Sequence, residues 1–355
     1  MRSAVVKKTS ACGTILGNDG ERKDKVKINA LVALLLLIAV ASGAGVQPAT
    51  AAAEQPAAAV TQGAVVDAQN WFGNQLDKQA KIFYNALVEM RRNGSLRSGT
   101  GSIDLIRGTF SGDQLAVSDV RAHLNGSRPL TAAFQAGRDA FMNDYPDVFY
   151  VDFSKLTLRA TQSGRYCTAV LGKGSGDSDY LAEGMLSPGR VGVAITELDA
   201  EIDRIAASAR KETDVSAQLK AVHDALAARA AYTTRSQQGV NVFGAYGALV
   251  KGTAVCEGYS RAYKAVLDAL GIPCVLVRGT AGGTAHMWCS VQVDGGWYAV
   301  DVTWDDPIGG SVRYAYFLKG ANRFSVSHQA TGVLSPNGSS FTYPALCDAD
   351  YPYSV

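Results

Sequence analysis

Apolar residues return at helical spacing in five stretches of this chain and alternate in strand-like fashion in five others. Phe72, Leu76, Phe83, Leu87 and Met90 mark a helix within residues 67–90. A second runs over 130–142 and is stopped by Asp144, Tyr145 and Pro146. The residues after it, VFYVDFSKLTLRA, alternate like a strand, and RYCTAVLG can form its hairpin partner. Helices over 193–209 and 214–232 follow, the latter with Leu219, Val222, Leu226 and Ala230 on one stripe. No internal repeat interrupts this order.

The last third reads as loop, helix and three strands. A loop over 240–255 leads into a helix over 257–270, whose Tyr259, Ala262, Tyr263, Val266, Leu267 and Leu270 define a buried face. Gly271, Ile272 and Pro273 stop it. Strands are expected over 274–278, 286–293 and 297–303, joined by a glycine-rich loop and by Asp294, Gly295 and Gly296. The class is therefore α+β: a helix packed on an antiparallel sheet, preceded by a mostly helical amino-terminal region. The expected division is residues 67–235 for that region and 236–355 for the carboxyl-terminal core.

Within this core a cysteine, a histidine and an aspartate stand in the order nucleophile, base and orienter. Cys256 opens the helix, where the positive helix end favours a thiolate. If Asp294 and Gly295 are the central residues of a two-residue turn, Val293 pairs with Gly296 and Trp288 lies opposite Asp301. His286 is then the diagonal neighbour of Asp301 on the same face. Cys289, three residues beyond His286, faces the other way, which removes support for a closed zinc site built from the two. Taken singly, Cys256 could be an inert core residue, His286 a satisfied core histidine and Asp301 a cap. Taken together, they form an acyl-transfer constellation.

Composition adds location and excludes partners. The formal charge of +2 comes with seven basic and three acidic residues among the first 51, leaving 27 basic against 29 acidic in the remainder. A near-neutral body gives no reason to expect nucleic acid as a partner. Residues 1–51 resemble an export segment, with basic residues, an apolar run from Ile28 to about Val46 and an Ala49-Thr50-Ala51 cleavage site. The segment is either cleaved or kept as a membrane anchor, and residues 52–66 form an Ala/Pro-rich linker. Location beyond the cytoplasmic membrane follows from this reading. Without Cys12, five cysteines remain; Cys256 is the expected free thiol, and Cys167, Cys274, Cys289 and Cys347 form two bridges or none.

The segments AYGALVKGTAVCEGYSRAYKAVLDALGIPCVLVRG, HMWCSV and GGWYAVDVTWDDP, within residues 240–330, resemble the core of the transglutaminase-like superfamily, whose fold is similar to that of papain. The upstream DAFMNDYPDVFYVD looks like a region that accompanies this core in exported bacterial proteins. The resemblance implies Cys256 as nucleophile, His286 as general base and acid, and Asp301 as the group that orients the imidazole. Cys289 departs from the asparagine usual in the short HxWN pattern. The implied reaction is attack of a thiolate on a protein or peptide amide to give a thioester. Water then gives hydrolysis and a primary amine gives a crosslink, with hydrolysis favoured.

An oxyanion would be held by the Cys256 amide and a second donor, for which Tyr246 is a candidate against a packing role. Trp304 either ends the last strand in a tight turn with Asp305, Asp306 and Pro307 or walls a substrate groove. His328 is expected to pack or hydrogen-bond locally, and the Glu257 carboxylate to oppose thiolate formation. No calcium loop or cofactor motif is present, so the expected cofactor and metal are none. The expected partner is a protein or peptide substrate, wall-associated or free. A different class, a non-catalytic binding or scaffolding module at the cell surface, would keep the fold without turnover.

Overall fold

The computed structural model describes residues 68–107, 113–233, 241–331 and 340–353. The export segment and its linker lie outside the described residues, as does Cys12. After two short 3-10 turns, α1 (Lys78–Arg92) starts where the Asp77 carboxylate accepts the Ala80 N–H. A short strand β1 (Ile103–Asp104), α2 (Val117–Leu124) and α3 (Leu130–Asp144) follow. The hairpin β2 (Leu156–Ser163) and β3 (Tyr166–Lys173) pairs in register, and β1 adds to the free edge of β3. The strand expected from residue 148 begins only at Leu156. Before it, the Asp152 carboxylate accepts from the backbone N–H and hydroxyl of Ser154, which turns the chain instead of extending it.

Helices α4 (Pro188–Ala209) and α5 (Val215–Arg229) are capped by Ser187 and Asp214. The parallel pair β4 (Ala231–Tyr232) and β5 (Thr253–Ala254) brackets α6 (Ala245–Leu249). Next comes α7 (Cys256–Leu270), ended by Gly271 in the left-handed region at φ 73°. Strands β6 (Cys274–Ala281), β7 (Thr284–Val293), β8 (Gly296–Val300) and β9 (His328–Ala330) form an antiparallel sheet in the order β8-β7-β6-β9. Two further helical turns, α8 (Val302–Asp305) and α9 (Ala321–Phe324), lie between β8 and β9.

Helix α7 is the centre of the molecule. Its Tyr259, Ala262, Tyr263, Val266 and Leu267 are buried, at about 1.5–3 kcal/mol for each large apolar side chain withdrawn from water. One face packs on β6 and β7, and α4 and α5 pack against the helix from elsewhere. Among the described residues the larger apolar cluster runs from Phe72 to Phe341. The amino-terminal region and the carboxyl-terminal core therefore share one interior.

Positive φ at Asp294 (49°) and Gly295 (80°) gives the tight two-residue turn that pairs Val293 with Gly296. The β8 ladder stops at Val300, short of the residue 303 expected from sequence. Asp301 ends it by capping α8: its carboxylate accepts the Trp304 N–H at 3.2 Å, so the expected tight turn is a helical one.

Candidate active site

Three elements deliver three side chains to one place. Cys256 is the first residue of α7, and Val255 before it supplies no capping side chain, so no side chain competes for the amides of the first turn. Helix and loop approach closely here. A Cβ on Gly258 would lie 2.4 Å from the Val242 carbonyl oxygen, the same oxygen that accepts the Val255 N–H at 3.1 Å. Only a residue without a side chain lets the 241–244 loop lock the helix start.

His286 on β7 and Asp301 at the end of β8 meet across the hairpin, with Nε2 to Oδ2 at 2.7 Å. The Cys256 side chain also acts on the His286 imidazole, and since Nε2 is engaged by Asp301, Nδ1 is the nitrogen left for it. The His286 and Asp301 side chains are only 8% and 1% exposed. Burial disfavours the imidazolium, yet hydrogen bonds to Asp301 and Cys256 outweigh it and push the His286 pKa up to about 10. Burial likewise pushes the Asp301 carboxyl up. Hydrogen bonds from His286 and His328 overcome this and hold it below the ordinary carboxylate value. Such a site favours an imidazolium oriented by a buried carboxylate.

Trp304 also reaches this place, half-buried, with its ring 5.9 Å from that of His286. Of the two roles open to Tyr246, its surroundings are those of packing. It is buried on α6, stacked on Phe149 at 4.8 Å, and its hydroxyl is engaged by Arg190 and Glu197 of α4. Packing accounts for it. Glu257 needs a correction. Despite burial, the guanidinium groups of Arg278 and Arg261 hold its carboxyl below the ordinary value, and both lie within 3.0 Å of it. Its charge is compensated and does not face the sulfur alone.

Two further residues meet this site: Tyr232, which the sequence did not single out, and His328, for which it suggested local partners alone. Tyr232 pairs with Ala254 across β4 and β5, and its hydroxyl lies in the field of both Cys256 and Asp301, which, after burial, contributes to raising its pKa. His328 is fully buried, and its Nε2 donates to the same Asp301 oxygen at 3.0 Å. Neither stands in the segments that carry the resemblance to the superfamily core. His328 could have been flagged only by a long-range contact that no local spacing encodes.

The five described cysteines are free. Cys289 points away from the site, its thiol directed at the Ser260 carbonyl at 3.4 Å. His286, Asp301 and His328 are of metal-ligand type, with donor atoms all within 4.8 Å of one another. Hydrogen bonds at 2.7 and 3.0 Å already occupy the space between them. A metal-bound imidazole nitrogen must be unprotonated, whereas both of these donate to one carboxylate oxygen. The arrangement is that of a proton-bearing network.

Residues 203–302 match the sequence profile of the transglutaminase-like superfamily. This stretch belongs to that superfamily. The transglutaminase-like match begins inside α4, upstream of the segments that carried the resemblance, and ends at Val302, before His328. No curated protein matches the chain significantly. Among solved structures, similarity extends to one described as a TGase, at 15% identity and TM-score 0.29 over 46% of this chain and 49% of that one. It extends also to the periplasmic domain of TgpA from Pseudomonas aeruginosa bound to ethylmercury, at 21% identity and TM-score 0.26 over 39% and 56%. The matched part thus spans about half the length of these chains. Among the described residues, no helix is long and apolar enough to cross a membrane.

Proposed function

We propose that this protein is an exported thiol enzyme that acts on protein or peptide amides through a thioester. The observation that supports it is the hydrogen-bonded pair His286 and Asp301, with Cys256, at the start of a buried helix, acting on the same imidazole. In this reading the Cys256 thiolate attacks the amide carbon, and the oxyanion forms beside the first-turn amides of α7. His286 gives its Nδ1 proton to the departing ammonia or amine as the C–N bond breaks. Water, deprotonated by the same nitrogen, then attacks the thioester and releases the acid. A primary amine in place of water would give an amide crosslink, and hydrolysis is the favoured outcome. Asp301 keeps Nε2–H engaged throughout, so Nδ1 stays aimed at the sulfur.

The test has two parts. Iodoacetamide should label Cys256 faster near neutral pH than the other four described cysteines, and His286→Ala should slow it. A Cys256 no faster than the rest would replace the enzyme reading with the non-catalytic binding module. Mass spectrometry of a glutamine peptide mixed with enzyme and a labelled amine separates the two enzymes: loss of ammonia to water or peptide cleavage marks a hydrolase, and amine incorporation marks a transferase.

A further inference from the structure

We infer that His328 is a positioning residue of this site, a second imidazole that donates to Asp301 and fixes the carboxylate on which His286 is aligned. The inference rests on the thiol-enzyme reading above. Asp301 receives three hydrogen bonds: Trp304 N–H on Oδ1 at 3.2 Å, His286 Nε2–H on Oδ2 at 2.7 Å and His328 Nε2–H on Oδ2 at 3.0 Å. A carboxylate held by two donors on one oxygen and one on the other cannot rotate about its terminal bond without losing all three.

The far side of His328 is satisfied as well. Its Nδ1 lies 2.8 Å from the Ser327 hydroxyl, which can donate or accept as the ring requires, while the Asp301 carboxylate calls for a proton on Nε2. The ring is enclosed by aromatic neighbours. Phe324 stacks on it at 4.0 Å and 24°, with Trp304 at 4.7 Å, Trp288 at 5.1 Å and Tyr316 at 5.3 Å. His328 itself is 2% exposed, so water has no access to replace its hydrogen bond. This dry enclosure makes the donor costly to lose.

The fold invests separately in bringing His328 there. Strand β9 joins the sheet at the edge of β6, pairing Gly279 with Ala330 and Ala281 with His328. A Cβ on Gly279 would lie 2.0 Å from the Gln329 carbonyl oxygen and 2.7 Å from the Trp288 ring. The absence of a side chain at 279 is what admits β9, and with it His328, against Trp288. Other groups bearing on Asp301 are Tyr232 on β4, Asp305 on α8 and Cys289 on β7, and Cys256 at the start of α7 bears on His286 beside it. Among the described residues, the side chains that donate hydrogen bonds to its carboxylate are the two histidines.

The experiment compares iodoacetamide labelling of Cys256 in the full chain with that in His328→Phe, which fills the aromatic enclosure without a donor, and His328→Gln, which restores an N–H. His328→Phe should lower the labelling rate at neutral pH about tenfold to a hundredfold, the scale of one hydrogen bond to a charged group. It should also move the acidic limb of the pH profile upward, because Asp301 loses a donor that favours its ionised form. His328→Gln should recover most of the rate. Equal rates in wild type and His328→Phe, with wild-type Cys256 fast, would overturn the positioning role and leave the enzyme reading standing. A slow wild-type Cys256 would instead overturn the enzyme reading. Should His328→Phe fail to fold, imidazole ¹H–¹⁵N spectra of the wild type decide: Nε2 of His328 protonated across the fast-labelling range is expected, and an unprotonated Nε2 sinks the proposal.

Discussion

Asp301→Asn separates the charge of the orienting group from its shape. Asparagine caps a helix about as well as aspartate, so α8 should survive the change. The carboxylate, however, accepts on both oxygens, from Trp304 N–H at 3.2 Å and from two imidazoles at 2.7 and 3.0 Å. An amide has one acceptor oxygen. If that oxygen faces the imidazoles, its NH₂ opposes the Trp304 N–H; if it is flipped, its NH₂ opposes two ring N–H groups. Either way one or two buried donors lose their acceptor, at about 1–3 kcal/mol each, and the melting temperature should fall accordingly. The imidazolium also loses a hydrogen bond to a charged partner, about 1.5–3 kcal/mol, which is roughly tenfold to a hundredfold in the population of the reactive ion pair. Iodoacetamide labelling of Cys256 at pH 7, followed by mass spectrometry alongside a thermal melt, reads both effects. Labelling within twofold of wild type in a folded Asp301→Asn protein would refute the argument that this carboxylate sustains the ion pair.

The raised His286 pKa, about 10, means that its contribution to stability is full below the unfolded value near 6.5 and is lost as pH rises through about 10. The depressed Asp301 pKa contributes in the opposite sense, with stability present above its ordinary value and lost as pH falls through the folded one. Thermal melts across this range should show a loss between pH 6.5 and 10 that His286→Ala lacks. Gly258→Ala places a Cβ 2.4 Å from the Val242 oxygen, so despite a gain of about 1 kcal/mol in helix propensity it should destabilise by about 1–3 kcal/mol in chemical denaturation and slow Cys256 labelling. An increase in stability would show that the 241–244 loop yields freely. Tyr246→Phe removes a hydroxyl held by Arg190 and Glu197 and should cost about 1 kcal/mol of stability while leaving labelling within twofold. A large loss of reactivity instead would return Tyr246 to the site.

Much of the site was legible because it is local in the sheet. The turn at Asp294 and Gly295 sets the register, register sets which residues share a face, and His286 and Asp301 follow at 2.7 Å. The stripe of Tyr259, Ala262, Tyr263, Val266 and Leu267 likewise foretells that α7 lies buried with Cys256 at its start. Boundaries were less legible. Asp301 reads equally well as the end of a strand or the cap of a helix, and only the Trp304 N–H within reach decides for the cap. For Tyr246 and Glu257 the deciding partners, on α4 for the one and Arg278 on β6 for the other, lie far along the chain and leave no trace in local spacing.

By itself the sequence determined the order of the elements, the hairpin register and the three residues that the register and the helix start bring together. Tertiary structure alone decided the shared core, the compensation of Glu257 by Arg278 and the arrival of His328 at Asp301 from 27 residues further along the chain. The physical reason is range. Periodicity, capping and turn conformation act over a few residues and leave a trace in spacing. The pairing of an edge strand and the desolvation of a buried charge depend on what the rest of the chain packs beside them.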